Sequence, residues 1–220
     1  MTITPIRIDF VSDVSCPWCA IGLNSLEVAL SRLGDSVQAQ IHFQPFELNP
    51  HMVPEGQDIT EHLRQKYGAS PAQQEQTREM IRQRGADVGF DFGVGMRSRI
   101  YNTFDAHRLL HWAGEHGNPA LAQRALKRAL FDAYFTRGQD PSSRTLLVQL
   151  AGKVGLDEAE AVQVLASGRY AQEVRDMEHF YQRNGIQSVP AVIINETHLI
   201  SGGQPPDAFE RALRQIVALK

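Results

Sequence analysis

Cys16-Pro17-Trp18-Cys19 joins the apolar run Ile6-Arg7-Ile8-Asp9-Phe10-Val11 to the helix-periodic stretch Ile21-Gly22-Leu23-Asn24-Ser25-Leu26-Glu27-Val28. A strand that passes into a helix through so short a link leaves both thiols at the helix N-terminus, with the proline in the first turn, where its missing N–H costs nothing. A thiolate at that end faces unpaired backbone N–H groups and the positive pole of the helix dipole, which lower its pKa. Thiol–disulfide exchange then needs only a second thiol close enough to resolve the mixed disulfide.

The other uses of such a pair fit less well. A structural zinc site wants four ligands, and no second CxxC follows; the single HxxxH, His107 with His111, lies far along the chain. A disulfide closing so short a loop stabilises by only about 2 kcal/mol before strain. Inert core cysteines remain an alternative, but CxxC beside a βα pattern reads first as a redox pair.

The 22 Lys and Arg are interleaved with 25 Asp and Glu, for a formal charge of −3, so no basic block marks a nucleic-acid or anionic-membrane partner. With 42% hydrophobic and 21% charged residues the chain has the makeup of a globular enzyme. Met1-Thr2-Ile3-Thr4-Pro5 lacks a basic segment followed by an apolar one, so the expected location is cytoplasmic, where a cysteine pair is more often catalytic than structural.

Periodicity predicts a strand near 6–12, a helix over 17–33 and a second strand at Val37–Phe43, a βαβ opening. From Asp58 to about Asn184 the pattern is almost wholly helical. Asp58 caps a helix through Tyr67, and Ser70-Pro71 starts another. Asn102–Ala113, Asn118–Thr136, Ser142–Val154, Leu156–Gly168 and Arg169–Arg183 follow, the last stopped by Asn184-Gly185. In the second of these Leu121, Ala125, Leu126, Ala129, Leu130 and Ala133 form the packing stripe. Met80 and Met177 are expected in the core, and Glu173, Arg175, Asp176 and Glu178 on a solvated face. Strands return at Ala191–Asn195 and His198–Ser201, and Pro205-Pro206 open a final helix, Asp207–Leu219, with Phe209, Leu213, Ile216 and Val217 on one face.

With CPWC after the first strand, Ser188-Val189-Pro190 before the third and a ββα ending, the chain resembles the DsbA family: an α/β thioredoxin fold interrupted by a large all-helical insertion. Ser12 to Cys19, Asn102 to Leu109 and Ser201-Gly202-Gly203-Gln204 are most similar to the FrnE-like dithiol–disulfide isomerases. The resemblance implies a thioredoxin-like domain from residues 1–48 and 186–220 and a helical domain from 49–185. It implies Cys16 as the more exposed nucleophile, Cys19 as the buried resolving thiol, and Val189-Pro190 as a cis-proline step that pairs with an extended substrate. Pro17 and Trp18 would set the environment of the pair, Trp18 as an apolar plate for substrate side chains. Asn102 and His107 would belong to the cleft wall. The implied activity is thiol–disulfide exchange on a disulfide-containing protein or a small-thiol substrate. The Cys16–Cys19 disulfide is the redox group, no separate cofactor or metal is implied, and glutathione is a candidate co-substrate.

Two other classes stand beside this reading. Kappa-class glutathione transferases and 2-hydroxychromene-2-carboxylate isomerases resemble the same architecture, but carry Ser where this chain has Cys16 and activate a glutathione thiol. A redox-switched binding module is the third. Two weaker constellations complete the inventory. HRLLH, spanning His107 and His111, lacks the Glu of a zinc-protease helix. Phe92-Gly93-Val94-Gly95 with Arg97 and Arg99 could form an anion loop, but lacks the flanking strand and helix of a dinucleotide site and reads first as a connection between helices.

Overall fold

The computed structural model describes residues 4–116 and 119–218. Met1, Thr2, Ile3, the expected helix start at Asn118 and the expected helix end at Leu219 lie outside the described residues. The strands are β1 (Thr4–Ser12), β2 (Val37–Pro45), β3 (Gln57–Asp58), β4 (Arg99–Ile100), β5 (Ala191–Ile194) and β6 (His198–Ser201). The helices are α1 (Pro17–Leu33), α2 (Ile59–Tyr67), α3 (Pro71–Ala86), α4 (Phe104–Ala113), α5 (Pro119–Phe131), α6 (Arg144–Lys153), α7 (Glu158–Ala166), α8 (Ala171–Arg183) and α9 (Pro206–Ala218). Among the described residues no helix is long and apolar enough to cross a membrane.

The main sheet has the order β2-β1-β5-β6, with β1 parallel to β2 and antiparallel to β5, and β6 antiparallel to β5. The βαβ opening makes the first pair parallel and the tight turn at Asn195-Glu196, both with positive φ, makes the last pair antiparallel. This is the α/β thioredoxin-type arrangement expected from the sequence. On β1 the period of two sorts the side chains: Ile6, Ile8 and Phe10 pack with α1 and α9, while Val11 turns to the opposite face with Tyr181 of α8. Arg32 ties α1 to Asp207 and Glu210 on α9. A second core lies within the helices, built from α4, α5, α6 and α7, and Val14 of the loop after β1 is inserted into it.

Side-chain caps fix several helix starts where the sequence places them. Asp58 accepts from the Thr60 and Glu61 amides, Ser70 and Gln73 form a reciprocal capping box, and Asp157 accepts from the Glu160 amide. The fifth helix leaves α geometry early, at a π turn over Asp132–Thr136. The stretch from 58 to 184 also holds a two-residue antiparallel ladder between β3 and β4, too short for a period to register. Met80 is 46% exposed, because α3 buries only Gln74 and Gly85. Leu121 is likewise exposed, whereas Leu126 and Leu130 of its stripe are buried. Arg175 and Glu178 do not lie on a solvated face: Arg175 bridges the buried Glu47 and Glu178 and stacks 3.9 Å over the Phe104 ring.

β2 is an outer strand of the sheet, and α5 closes its edge. The Gln123 side-chain oxygen accepts from the Phe43 N–H at 2.8 Å, and its amide nitrogen donates to the Phe43 carbonyl at 3.2 Å and the Leu110 carbonyl at 3.1 Å. The side chain thus substitutes for a neighbouring strand and anchors α4 as well. Gln123→Ala strands the buried N–H and carbonyl of Phe43, while the Leu110 carbonyl keeps the Gly114 amide, and is expected to lower the unfolding free energy by about 1–3 kcal/mol in a urea titration. An unchanged midpoint would contradict the edge-capping role.

Candidate active site

The first turn of α1 begins at Cys16, whose extended backbone (φ −90°, ψ 112°) makes it the N-cap residue, with Pro17 opening the helix. The Cys16 carbonyl accepts from the amides of Cys19 and Ala20. Both cysteines are free thiols, Cys16 3% exposed and Cys19 fully buried, so the first is more accessible by a narrow margin. The Val189-Pro190 peptide is cis, and the Cys16 Sγ lies 3.6 Å from the Val189 carbonyl oxygen, within range of a weak S–H donor bond. Trp18 is half-buried against the same core.

Two glycines permit this approach. A Cβ at Gly22 would stand 3.0 Å from Pro190 Cγ, and one at Gly203 would stand 2.8 Å from the Trp18 carbonyl oxygen, so the α1 start, the Pro190 loop and the Gly202-Gly203 turn meet without side chains between them. The Gly202 amide donates to the Pro190 carbonyl at 2.8 Å and fixes the loop.

Beneath the dithiol lies the buried carboxylate of Asp13. Its Oδ1 accepts from the Ser15 amide at 3.0 Å and the Thr103 hydroxyl at 2.8 Å, and its Oδ2 accepts from the Ser15 hydroxyl at 3.0 Å and the Leu48 amide at 2.6 Å. His107 Nε2 stands 3.6 Å from Oδ1, long for a hydrogen bond but close enough for charge to be felt. Burial alone would raise the Asp13 carboxyl; His107 and the Leu48 and Ser15 amides outweigh it and hold the group at about 2. The Cys19 thiol goes the other way, pushed well above the usual thiol range by burial and then by the Cys16 sulfur.

Of the other residues marked in the sequence, His107 is buried and sits beside Asp13 beneath the site rather than on an open wall. Asn102 is half-buried, and its Oδ1 accepts from the Phe104 amide at the start of α4. The Phe92–Arg99 segment does not hold free cations: Arg99 donates to the Glu55 and Gly56 carbonyls, and Arg97 stacks over Tyr134 and Phe135. Among the described residues no group of three or more His, Cys, Asp or Glu side chains could hold a metal ion. One contributor carried no mark of its own in the sequence: Thr103, whose hydroxyl donates to Asp13.

Residues 7–214 match the family model described as the DSBA-like thioredoxin domain. No curated protein matches the chain. Among solved structures, a probable DsbA oxidoreductase from Streptomyces coelicolor is 32% identical, with 96% of this chain and 89% of that one covered and a TM-score of 0.85. A 2-hydroxychromene-2-carboxylate isomerase is 16% identical over 97% of this chain and 99% of that one, with a TM-score of 0.69. The cytosolic disulfide reductase DsbM from Pseudomonas aeruginosa, solved with GSH, is 18% identical over 96% and 99% of the two chains, with a TM-score of 0.65. At those identities the last two share the fold.

In the unfolded chain Asp13 takes up a proton below about pH 4, whereas folded it stays charged down to about 2. Its stabilising contribution is therefore complete above the unfolded value and is lost as pH falls through the folded one. Asp13→Asn turns an amide N–H₂ toward donors and is expected to cost at least about 2 kcal/mol at neutral pH. Acid titration of the variant, followed by circular dichroism, should also show a shallower loss of stability between those two values. A variant as stable as the parent, with the same acid limb, would contradict the role of the charge.

Proposed function

The chain belongs to the DSBA-like thioredoxin domain family, and from that premise we propose that it is a thiol–disulfide oxidoreductase and isomerase of the FrnE-like type that turns over through Cys16 and Cys19. The observation that carries this reading is the pair of free thiols at the N-terminus of α1, with the Cys16 Sγ 3.6 Å from the carbonyl of the cis Val189-Pro190 step.

In the reductive direction the Cys16 thiolate attacks one sulfur of the substrate disulfide. A Cys16–substrate bond forms, the substrate S–S bond breaks, and the other substrate sulfur leaves with the electron pair. The N-terminal amides of α1 stabilise negative charge on Cys16. An extended substrate segment lies along the Val189 backbone, whose carbonyl is free of a strand partner at that end of β5. Trp18 supplies an apolar plate beside it. Pro17, Val189 and Pro190 shape the approach, while Asn102 fixes the start of α4 and His107 backs Asp13 from beneath. Cys19 then attacks Cys16, forms the intramolecular disulfide and releases the second substrate sulfur as a thiolate. Oxidation of a substrate dithiol runs through the same states in reverse.

The substrates on this reading are disulfide-containing proteins or small disulfides in the cytoplasm, with glutathione as co-substrate; DsbM, a cytosolic reductase solved with GSH, supports that assignment through fold. The alternative, a glutathione-activating transferase or isomerase of the 2-hydroxychromene-2-carboxylate type, is supported by fold alone. The dithiol weighs against it, since Cys19 would have nothing to resolve.

Mixing the reduced chain with glutathione disulfide and following adducts by mass spectrometry separates the readings. Cys19→Ser should accumulate a covalent glutathione adduct on Cys16, the parent should pass through it to the intramolecular disulfide, and Cys16→Ser should fall to background. Equal turnover by parent and Cys16→Ser would overturn the assignment.

A further inference from the structure

Two buried carboxylates depend on one guanidinium. The Arg175 Nη1 on α8 donates to Glu47 Oε2, just after β2, and to Glu178 Oε2 at 2.8 Å, and the guanidinium lies 3.9 Å from the centre of the Phe104 ring at the start of α4. The Glu47 and Glu178 side chains are 1% and 6% exposed, and the Oε1 atom of each is buried without a hydrogen bond, so among the described residues Arg175 is the one donor to either group. Buried charge is tolerated where it is paired. The elements that bear these carboxylates are therefore held to Arg175.

The two stretches that Arg175 joins to α8 are those that bind Asp13. Glu47 precedes Leu48, whose amide donates to Asp13 Oδ2 at 2.6 Å, and Phe104 follows Thr103, whose hydroxyl donates to Asp13 Oδ1 at 2.8 Å. Asp13 in turn is fixed to the dithiol loop: its carboxylate accepts from the Ser15 amide and hydroxyl, and its carbonyl accepts from the Cys16 amide at 3.3 Å.

At its other end α8 delivers the opposite wall of the cleft. After Arg183 the chain is bonded back to the last turn, with the Asn184 amide donating to the Phe180 carbonyl at 3.1 Å, Gly185 to Gln182 at 3.1 Å and Ile186 to Tyr181 at 3.0 Å. Tyr181 and Ile186 are buried with Val11 and Ala191, and Val189 packs on the same group. Only Gln187 and Ser188 lie between Ile186 and Val189, whose carbonyl stands 3.6 Å from the Cys16 Sγ. One helix thus spans from the ligands of Asp13 to the cis Val189-Pro190 step, about 12 Å from Arg175 to Arg183 at the rise of an α-helix.

We propose that Arg175 is a positioning residue for exchange on peptide substrates, one that fixes the spacing between Cys16 and the Val189 backbone by binding α8 to both stretches that hold Asp13. The inference rests on the exchange reading above and deepens it. A small disulfide needs only the Cys16 sulfur, whereas an extended peptide must reach that sulfur while paired with Val189, so the peptide alone is sensitive to the spacing. A guanidinium bonds carboxylates at its edge while it stacks an aromatic ring on its face, and an ammonium does not offer both. Arg175 acts through Glu47, Phe104 and α8 and is not a group in contact with substrate.

The test compares two disulfides with the same coloured leaving group on the full reduced chain: a symmetric aromatic disulfide, and a short peptide whose single cysteine carries that aromatic thiol. In each the Cys16 thiolate forms a bond to one sulfur, the disulfide bond breaks, and the aromatic sulfur leaves as a thiolate with the electron pair, being the leaving group of lower pKa. First-phase rates are measured where circular dichroism shows the chain folded. Arg175→Lys should keep the rate with the symmetric disulfide within about twofold and lower the rate with the peptide by about tenfold or more, inside the hundredfold that a misplacement of about 1 Å can cost. Phe104→Leu removes the stacking face and leaves the ion pairs; it should lower the peptide rate by about threefold, the scale of one cation–π contact, and it decides the matter if Arg175→Lys does not fold. An arginine that serves stability alone would move the urea midpoint and leave the ratio of the two rates at the parent's value, which would overturn the proposal. Equal losses with both disulfides would overturn it as well. A parent that reacts with neither disulfide would overturn the exchange reading and this inference with it.

Discussion

The carboxylate of Asp13 holds the molecule's parts in register. It lies three residues before Cys16, and its partners come from three separate stretches: Ser15 in its own loop, Leu48 after β2, and Thr103 at the start of α4. A buried carboxylate must be neutralised or hydrogen-bonded, so those stretches are bound to one point as strongly as the cost of stranding it. The dithiol loop, the end of the parallel strand pair and the helical segment therefore cannot move independently. Val14, inserted into the helical core beside it, makes the same connection through packing.

From that anchor the site is built in both directions. Above it, the loop delivers Cys16 to the N-terminus of α1 opposite the cis Val189-Pro190 step, with Gly22 and Gly203 allowing backbone and proline to touch. Below it, α5 closes the sheet edge through Gln123 and buries Lys127 beside β2 and His107 of α4. The helical segment thus contributes to the site from beneath, through buried polar groups, as well as bordering it.

The parts legible in the sequence were those written in local chemistry. The CPWC turn, the caps at Asp58 and Ser70 and the alternation on β2 each depend on a few adjacent residues, and the family resemblance carried the thioredoxin-type fold. The parts that were not legible depend on distant neighbours. Lys127 sits in a helix whose apolar stripe was plain, and nothing local shows that the residue beside the stripe is sealed by β2 and α4. Asp13 is visible as part of the motif, but its partners at 48 and 103 are not. Glu178 and Arg175 read as surface charges because each is polar in a helix of strong amphipathy, while Glu47, which makes their burial tolerable, lies far away in the chain.

The central claim is that Cys16 and Cys19 form a working two-electron couple. The most direct measurement equilibrates the chain in glutathione buffers of graded ratio, traps free thiols by alkylation and counts them by mass, with Cys19→Ser as control. The account predicts a single reversible transition in which both thiols disappear together in the parent and no intramolecular disulfide forms in the control. Thiols that remain free across the whole range, or that only take up glutathione one at a time without ever pairing, would contradict it.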